Sequence, residues 1–319
     1  MKRNFLALSL FLMVAGASAY GQQDKLITHF MYDKMSLNPG ATAADGGEGA
    51  ICGTMIYRNQ WDKVNGAPNS AVLNLEADLT RFFPGRIGIA FYHDAIAFTR
   101  QNNLLLNYSF PLEIAGAGTL GIGVGIGFMN VGMNPQWVPP TTNFDPTLPA
   151  GFSSMNLDLN FGLYWKGVQG YYVGVSSTHL TESRLEGLSA AGSGFTTTYN
   201  PARHYYLMGG YEYDLGNDNG RIDANVMLRT EFVKVSMDIN ARYHLGVIPA
   251  YAGITYRTSD AVAIMLGYKP IPSLSIGYSY DITVNKLASY SRGSHEIMVK
   301  YCYILPPVPI ATSKHPRWL

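Results

Sequence analysis

This 319-residue chain contains seven histidines, the residue type best suited to acid–base catalysis and metal binding near neutral pH. They are scattered and form no zinc spacing such as His-Glu-x-x-His, and the chain has no Gly-x-Ser-x-Gly nucleophile turn and no phosphate-binding loop. His295 and Glu296 are adjacent and could act as an acid–base dyad, but we interpret them as a structural polar pair at the start of a strand. The sequence therefore predicts no enzyme, no metal site and no cofactor.

Charged and amide side chains elsewhere alternate with apolar ones. Asp158 and Asn160, for example, lie between Leu157, Leu159 and Phe161. A β-strand turns successive side chains to opposite faces, so each such segment has one polar and one apolar face. Because the polar faces carry charges of both signs, we expect them to form a packed salt-bridge network rather than an ion-selective pore.

Fourteen alternating segments are predicted as strands. They cover residues 51–61, 70–79, 86–94, 101–110, 119–131, 154–166, 170–176, 204–213, 221–231, 233–245, 250–258, 261–268, 273–284 and 295–304. The long connections follow the fifth, seventh and thirteenth strands, all odd, as in outer-membrane barrels whose two termini lie in the periplasm. Phe232 alone separates the ninth and tenth strands, so either those bounds or the count must be wrong there.

These features predict an all-β fold, a single transmembrane antiparallel barrel of about fourteen strands in the outer membrane of a Gram-negative cell. A charged fraction of 14% is low for a soluble enzyme, and Tyr and Trp gather near strand ends, as in the aromatic girdles that contact membrane lipids. The alternative is a soluble β-sandwich, whose strands would also alternate. A net charge of +1 implies no nucleic-acid partner.

The sequence predicts four segments along the chain. Residues 1–19 predict a signal peptide cleaved near residues 19–21, with Lys2 and Arg3 ahead of an apolar stretch and Ala17-Ser18-Ala19 at the cleavage site. Residues 20–49 lack a strand pattern and are expected to form a periplasmic or plug segment. Residues 50–305 form the barrel, and residues 306–319 a basic periplasmic tail.

Glycines alternate along the fifth predicted strand at Gly121, Gly123, Gly125 and Gly127. They either relieve curvature in a tilted strand or admit the backbone of a plug formed by residues 20–49, and we expect the first.

Cys52 and Cys302 fall in the first and last predicted strands, on the lumen face beside the closure of the barrel. They are either a disulfide across that closure or two buried thiols out of register.

Four short features together resemble one family. They are Gln22-Gln23-Asp24 with Phe30-Met31-Tyr32, then Leu37-Asn38-Pro39-Gly40, then Tyr57-Arg58-Asn59-Gln60-Trp61 with Gly66-Ala67-Pro68, and His295-Glu296-Ile297. In this order they resemble the PorP/SprF family of type IX secretion-associated outer-membrane proteins of Bacteroidota, which commonly shows Asn-Pro-Ala where this chain has Asn-Pro-Gly.

The resemblance implies a barrel without enzymatic activity that serves type IX secretion and gliding motility. It implies two kinds of partner: a large secreted adhesin or other cargo, whose C-terminal signal domain is exported or held at the cell surface, and the periplasmic ring and peptidoglycan-linked components of the machine. The runner-up function is a barrel that transports small solutes or fatty acids.

The residues themselves suggest how the motifs act. Arg58 should face the lumen and pair with Glu76 or Asp78 across the first hairpin, while Tyr57 and Trp61 face outward. We therefore expect the motif residues mainly to build a rigid first hairpin and rim, with cargo contact at that rim as the alternative. The motif residues are Asn38, Pro39, Tyr57, Arg58, Gln60, Trp61, His295 and Glu296.

The two longest outer loops, residues 132–153 and 177–203, are the better candidates for cargo contact. Exposed aromatic side chains suit protein recognition. The loops carry Trp137, Phe144, Phe152, Phe195 and Tyr199.

Overall fold

The computed structural model describes residues 25–135, 151–187, 197–216 and 219–306, and its main element is a closed antiparallel barrel of fourteen strands. This confirms the predicted fold class. The barrel strands are β1 (Ala50–Asn59), β2 (Asn69–Asp78), β3 (Arg86–Ile96), β4 (Thr99–Ile114), β5 (Gly118–Met133), β6 (Phe152–Gly167), β7 (Tyr171–Thr178), β10 (His204–Asp214), β11 (Arg221–Thr230), β12 (Val235–His244), β13 (Ala250–Arg257), β14 (Ala261–Ile271), β15 (Leu274–Thr283) and β16 (Ser294–Ile304).

The strands follow the alternation of the sequence. On β5, Ile122, Val124, Ile126 and Phe128 are exposed on the outer wall, and the residues between them are buried in the lumen. Apolar side chains cover the outer wall in the same way on the other strands, which suits a wall that faces lipid. The uncertain join at Phe232 is a turn of residues 231–234 between β11 and β12, in which Phe232 has a φ of 65°.

Among the described residues, no helix has the length and apolar character needed to cross a membrane.

A small sheet lies on the outer side of the barrel, in the connection after β7. It consists of β8 (Leu185–Gly187) and β9 (Thr197–Tyr199), and Leu185 is completely buried against Met129 and Val131 of β5. The base of this outer loop is therefore packed onto the barrel wall.

Residues 25–49, hereafter the plug, lie inside the barrel. They contain two short 3₁₀ helices (Phe30–Tyr32 and Pro39–Ala41) and one helical turn, α1 (Lys34–Leu37). Most plug residues are buried, and the plug packs against an apolar band on the lumen wall. This cluster contains Phe30, Met31, Leu37, Ala41, Ala44, Tyr164, Tyr172, Tyr206, Met208, Met227, Tyr251 and Met265. The lumen is thus packed like a protein core.

The glycines of β5 show why the plug fits. A Cβ at Gly121 would lie 2.1 Å from the carbonyl oxygen of Gly40, and one at Gly123 would lie 2.1 Å from the nitrogen of Gly40. The expectation that these two glycines serve only strand curvature is therefore wrong, because the plug backbone lies where any side chain would stand. Gly125 and Gly127 are instead crowded first by the neighbouring strand, at Asn107 and Leu104.

Candidate functional site

Glu296 holds the start of the plug to the last strand. Its carboxylate is fully buried and accepts hydrogen bonds from the backbone N–H groups of Thr28 (2.8 Å) and His29 (2.7 Å). The Nδ1 atom of His29 lies 2.7 Å from Oε1 of Glu296, so this nitrogen carries the proton that the carboxylate accepts. Arg58 adds a fourth contact, with Nη1 at 3.1 Å from Oε2.

Arg58 and Arg257 extend these contacts into an ion network. Arg58 is 2.8 Å from Asp281, whose Oδ2 also accepts a hydrogen bond from the Thr28 hydroxyl at 2.7 Å. Arg257 lies 2.9 Å from Asp238 and 3.5 Å from Asp281. Arg229 pairs with Asp238 and donates to the carbonyl oxygen of Lys25 at 3.1 Å.

We call the buried residues Thr28, His29, Arg58, Arg229, Asp238, Arg257, Asp281 and Glu296 the plug network. Its three guanidinium groups face three carboxylates, and Arg257 also contacts Asp260 at 3.3 Å, so every guanidinium group is paired. Breaking one buried pair of this kind costs about 3–5 kcal/mol, because the remaining charge is left uncompensated. The network therefore fixes the plug in place, and it agrees with the mixed-charge packing expected from the sequence.

Asn38 and Pro39 form a second attachment, deep in the barrel and not at its rim. The Asn38 side chain donates to the carbonyl oxygens of Leu163 (3.0 Å) and Val175 (3.3 Å) and accepts from the N–H of Gly40 at 2.9 Å. A Cβ at Gly162 would lie 2.0 Å from Oδ1 of Asn38. The Asn-Pro-Gly turn is thus fitted to a glycine-lined part of the wall.

The lower plug, residues 34–45, is closed by an ion pair between its first and last residues. Nζ of Lys34 lies 2.8 Å from Oδ2 of Asp45. Burial pushes the pKa of Asp45 upward, but the cations of Lys34, Lys166 and Lys300 together hold it well below its ordinary value of 3.8. Burial likewise opposes the charge on Lys34, yet Asp45 and the Tyr164 hydroxyl raise the pKa of Lys34 above its ordinary value of 10.5. Both groups are therefore charged at neutral pH.

The expected partner of Arg58 was wrong. Glu76 lies opposite Cys52 in the register of β1 and β2, at the far end of the hairpin, whereas Arg58 lies opposite Ser70. Across the closure of the barrel Arg58 lies opposite Glu296. Asp78 instead pairs with Arg86 at 2.9 Å.

The remaining motif residues lie at the outer end of the barrel. Tyr57 is exposed on the outer wall, and Gln60 is buried with its backbone N–H bonded to the carbonyl oxygen of Pro68 at 3.0 Å. Trp61 has a φ of 52° and does not face outward as expected, because the chain turns there and its side chain lines a cavity at the outer mouth. His295 lies on the opposite face of β16 from Glu296, within 2.7 Å of the Tyr278 hydroxyl, so the two form no dyad.

The outer-mouth cavity has a volume of about 190 Å³. Leu26 of the plug, Trp61 and Leu287 supply apolar lining, and Glu231, Lys234 and Asp260 supply charge. The recess therefore has a few apolar side chains among mostly polar and charged ones.

Cys52 and Cys302 are directly opposite each other in β1 and β16 and are joined by a disulfide, with their Cα atoms 4.1 Å apart. The bond lies at the periplasmic end of the same seam that carries Arg58 and Glu296. Gly46 of the plug covers it, since a Cβ there would lie 3.1 Å from the Cys52 sulfur.

The aromatic residues chosen as cargo contacts have mixed positions. Phe152 and Tyr199 are half-buried against the Leu185 cluster, and the Tyr199 hydroxyl donates to Gln101 at 3.3 Å. They stabilise the base of the outer loop and are not the exposed contacts expected. Trp137, Phe144 and Phe195 lie outside the described residues, as do the predicted signal peptide and nearly all of the tail.

Sequence reasoning singled out Asn38 and Pro39 but missed the other residues that hold the plug. Thr28, His29 and Lys34 lie in a segment without periodicity, and Asp281 and Arg257 were not singled out on their strands. The alternating glycines of β5 were the one signal that could have located the plug.

Comparisons with known proteins agree with this architecture. The family model for the type IX secretion system membrane protein PorP/SprF matches residues 19–301. No curated protein matches the chain.

Solved structures resemble the chain in fold. The CymD monoaromatic hydrocarbon channel has a TM-score of 0.52 and 12% identity, covering 86% of this chain and 93% of that one. The Pseudomonas putida toluene transporter TodX has a TM-score of 0.50 and 12% identity, covering 84% of this chain and 92% of that one. At such low identity these similarities concern the fold alone. The family match spans most of the barrel and all four of the motif features described above, so the chain is an outer-membrane barrel that belongs to the PorP/SprF family of type IX secretion system membrane proteins.

Proposed function

We propose that this barrel helps to export a large secreted adhesin, or another cargo with a C-terminal signal domain, or anchors it at the cell surface, as part of the type IX secretion and gliding machinery. In this function the barrel wall and plug are a rigid support, and protein partners bind at the mouths. The components expected on the periplasmic side are the ring and peptidoglycan-linked proteins of the machine.

The observation that carries the proposal is the filled lumen. The plug runs from the outer end, where Lys25 contacts Arg229, to the periplasmic end, where Glu48 contacts Arg81. It is attached by the plug network, by the Asn38 turn and by an apolar cluster, and each attachment would have to break before a solute could pass. A transport barrel would need an open path or a weakly held plug.

The outer end offers a surface for a protein partner. Trp61, part of the most specific family motif, lines the outer-mouth cavity with Leu26 and Leu287. Leu185 packs the base of the loop containing β8 and β9 against the barrel, so the two ends of this loop are held in a fixed position. A rigid base reduces the ordering cost of binding.

Affinity purification from native membranes, followed by mass spectrometry, tests the proposal. We expect a large secreted protein or secretion-machine subunits to copurify with the tagged protein. Recovery of neither, from a barrel that is folded and in the outer membrane, would contradict the proposal.

Shortening the outer loop between β8 and β9 tests directly whether this loop binds cargo. Gly187 pairs with Thr197, so replacing residues 188–196 with Asn-Gly should close β8 and β9 into a two-residue hairpin and keep Leu185 in place. We expect this variant to lose cargo while the barrel stays folded. Val247→Ser, on an exposed periplasmic turn, is the matched control and should retain cargo. Undiminished capture by the loop variant would show that this loop does not bind cargo.

A further inference from the structure

A second recess opens at the periplasmic mouth of the barrel, opposite the outer-mouth cavity. It has a volume of about 680 Å³ and lies between the lower plug and the wall from β6 to β16. We call it the periplasmic vestibule. Its charged lining consists of Lys34, Asp45, Lys166, Glu212, Arg221, Asp223, Arg242, Lys269 and Lys300, with His244 beside Asp223.

We infer that the periplasmic vestibule binds an acidic peptide segment of a periplasmic protein. The inference rests on the proposed function only in taking the partner to be a component of the secretion machine.

The charge balance of the vestibule is the first observation that supports this inference. Six basic side chains line it, and four carboxylates are available to them when Glu76, which lies 3.5 Å from Lys300, is counted with Asp45, Glu212 and Asp223. Glu76 also accepts a hydrogen bond from the backbone N–H of Ala43. In the plug network, by contrast, three guanidinium groups face Asp238, Asp281 and Glu296, and Arg257 also contacts Asp260 at 3.3 Å, so carboxylates are not in deficit there. The excess of positive charge is therefore a property of this mouth.

The carboxylates of the vestibule are shared between several cations. Asp45 lies 2.8 Å from Lys34 and 3.4 Å from Lys166. Asp223 lies 2.7 Å from Arg221 and 3.1 Å from Arg242. Arg221 also contacts Glu212 at 3.2 Å and is therefore fully paired. Lys34, Lys166 and Arg242 each share a carboxylate with another cation, so they retain capacity for a further anionic group.

Lys269 is the cation of the vestibule that is most clearly available to an incoming carboxylate. It has no ion-pair partner within residues 25–135, 151–187, 197–216 and 219–306, and its backbone N–H is already bonded to the carbonyl oxygen of Pro249 at 2.7 Å. Lys269 lines the vestibule near the periplasmic turns. An incoming carboxylate would find it free.

The distribution of the cations favours an extended chain over a single small anion. Lys166 lies on β6, Arg221 on β11, Lys269 on β14 and Lys300 on β16, which spans more than half of the strand order around the barrel. Lys34, Lys166 and Lys300 converge on Asp45, which already serves as their anion, whereas Arg221 and Lys269 lie elsewhere on the wall. Several carboxylates on one chain would therefore reach cations that a single small anion would not.

Binding of a synthetic peptide to the full-length protein in nanodiscs tests the inference. The probe is a fluorescein-labelled ten-residue peptide of alternating Glu and Ser, measured by anisotropy at 50 and 300 mM NaCl. We expect saturable binding that weakens in high salt, and no binding of the Lys-Ser peptide of the same length. Absence of binding by the Glu-Ser peptide at low salt would overturn the inference.

Charge-reversal variants locate the site. Lys269→Glu should weaken peptide binding about fivefold to tenfold, because it replaces an attraction by a repulsion at the wall. Lys286→Glu makes the same change in the 3₁₀ helix Lys286–Ser289 of the outer loop after β15, and it should leave binding unchanged. Equal loss in both variants would show a non-specific effect of net charge and would overturn the assignment.

Competition with inorganic phosphate distinguishes a peptide-binding site from a site for a small anion. Inorganic phosphate at 10 mM should displace the peptide no more than NaCl of equal ionic strength. Complete displacement by phosphate would indicate a small-anion site and overturn the peptide assignment. Peptide binding and cargo capture, both measured on the wild-type protein, distinguish the two proposals. The vestibule inference fails if the peptide does not bind although cargo is captured, and the proposed function fails if the peptide binds but no partner is captured.

Discussion

The plug network predicts a large local effect for Glu296→Ala. The substitution removes the acceptor of two backbone N–H groups, at Thr28 and His29, and of the His29 ring, while Arg58 keeps its contact with Asp281. A buried donor left without an acceptor costs about 1–3 kcal/mol, and a broken buried ion pair about 3–5 kcal/mol. Because these terms overlap, we take about 3–5 kcal/mol as the loss in the free energy that holds the start of the plug.

Amide hydrogen exchange measures this loss directly. Each 1.4 kcal/mol is a factor of ten in the opening equilibrium, so exchange at residues 25–33 should accelerate by about a hundredfold to several thousandfold. The strand amides should keep their protection, because the barrel closes through its own backbone ladder. Glu113→Ala, on an exposed part of β4, is the matched control and should change neither region. Unchanged exchange at residues 25–33 in Glu296→Ala would refute the view that this carboxylate holds the plug.

Three further predictions concern the lower plug and the seam. Gly123→Ala should displace the plug turn and raise exchange at residues 39–42, since its Cβ would lie 2.1 Å from the Gly40 nitrogen, whereas Gly209→Ala, with 3.5 Å to its nearest atom, should not. The pKa of Asp45 is depressed, so its stabilisation is complete above its ordinary value of 3.8 and lost as the pH falls through the folded value. Protection of residues 34–45 should therefore be constant near neutral pH and fall in acid, and Asp45→Asn should be less protected at neutral pH and lack this fall. Cys302→Ser should lower the temperature of the heat-induced shift in gel mobility, because it removes about 2–5 kcal/mol of cross-link stabilisation; an unchanged temperature would contradict a bonded seam.

The barrel was predictable because its wall repeats one simple rule. Alternation of apolar and polar residues follows from the geometry of a strand with lipid on one side, and it located starts such as Arg86 and Ala261 without error. The plug obeys no such rule. Its short helices are fixed by contacts with strands far away in sequence, so residues 25–49 carry no periodic signal of their own.

The error at Arg58 has an equally physical origin. We expected a partner in the adjacent hairpin, but antiparallel register puts Glu76 beside Cys52. If Cys52 is placed opposite Cys302, the same register puts Arg58 opposite Glu296, six residues further along each strand. The expected contact between the two cysteines, combined with the motif residues on the same two strands, would therefore have predicted the Arg58–Glu296 pair.

Ion conductance of the purified full-length protein in planar lipid bilayers tests most directly whether the plug closes the lumen and leaves the mouths as the working surfaces. We predict no steady conductance for the wild-type barrel or for Glu296→Ala, in which the Asn38 turn and the apolar cluster still hold the rest of the plug, and steady conductance for a variant that lacks residues 25–49. A stable open conductance in the wild-type protein, or uptake of small solutes by liposomes that contain it, would contradict a closed barrel that works through bound proteins.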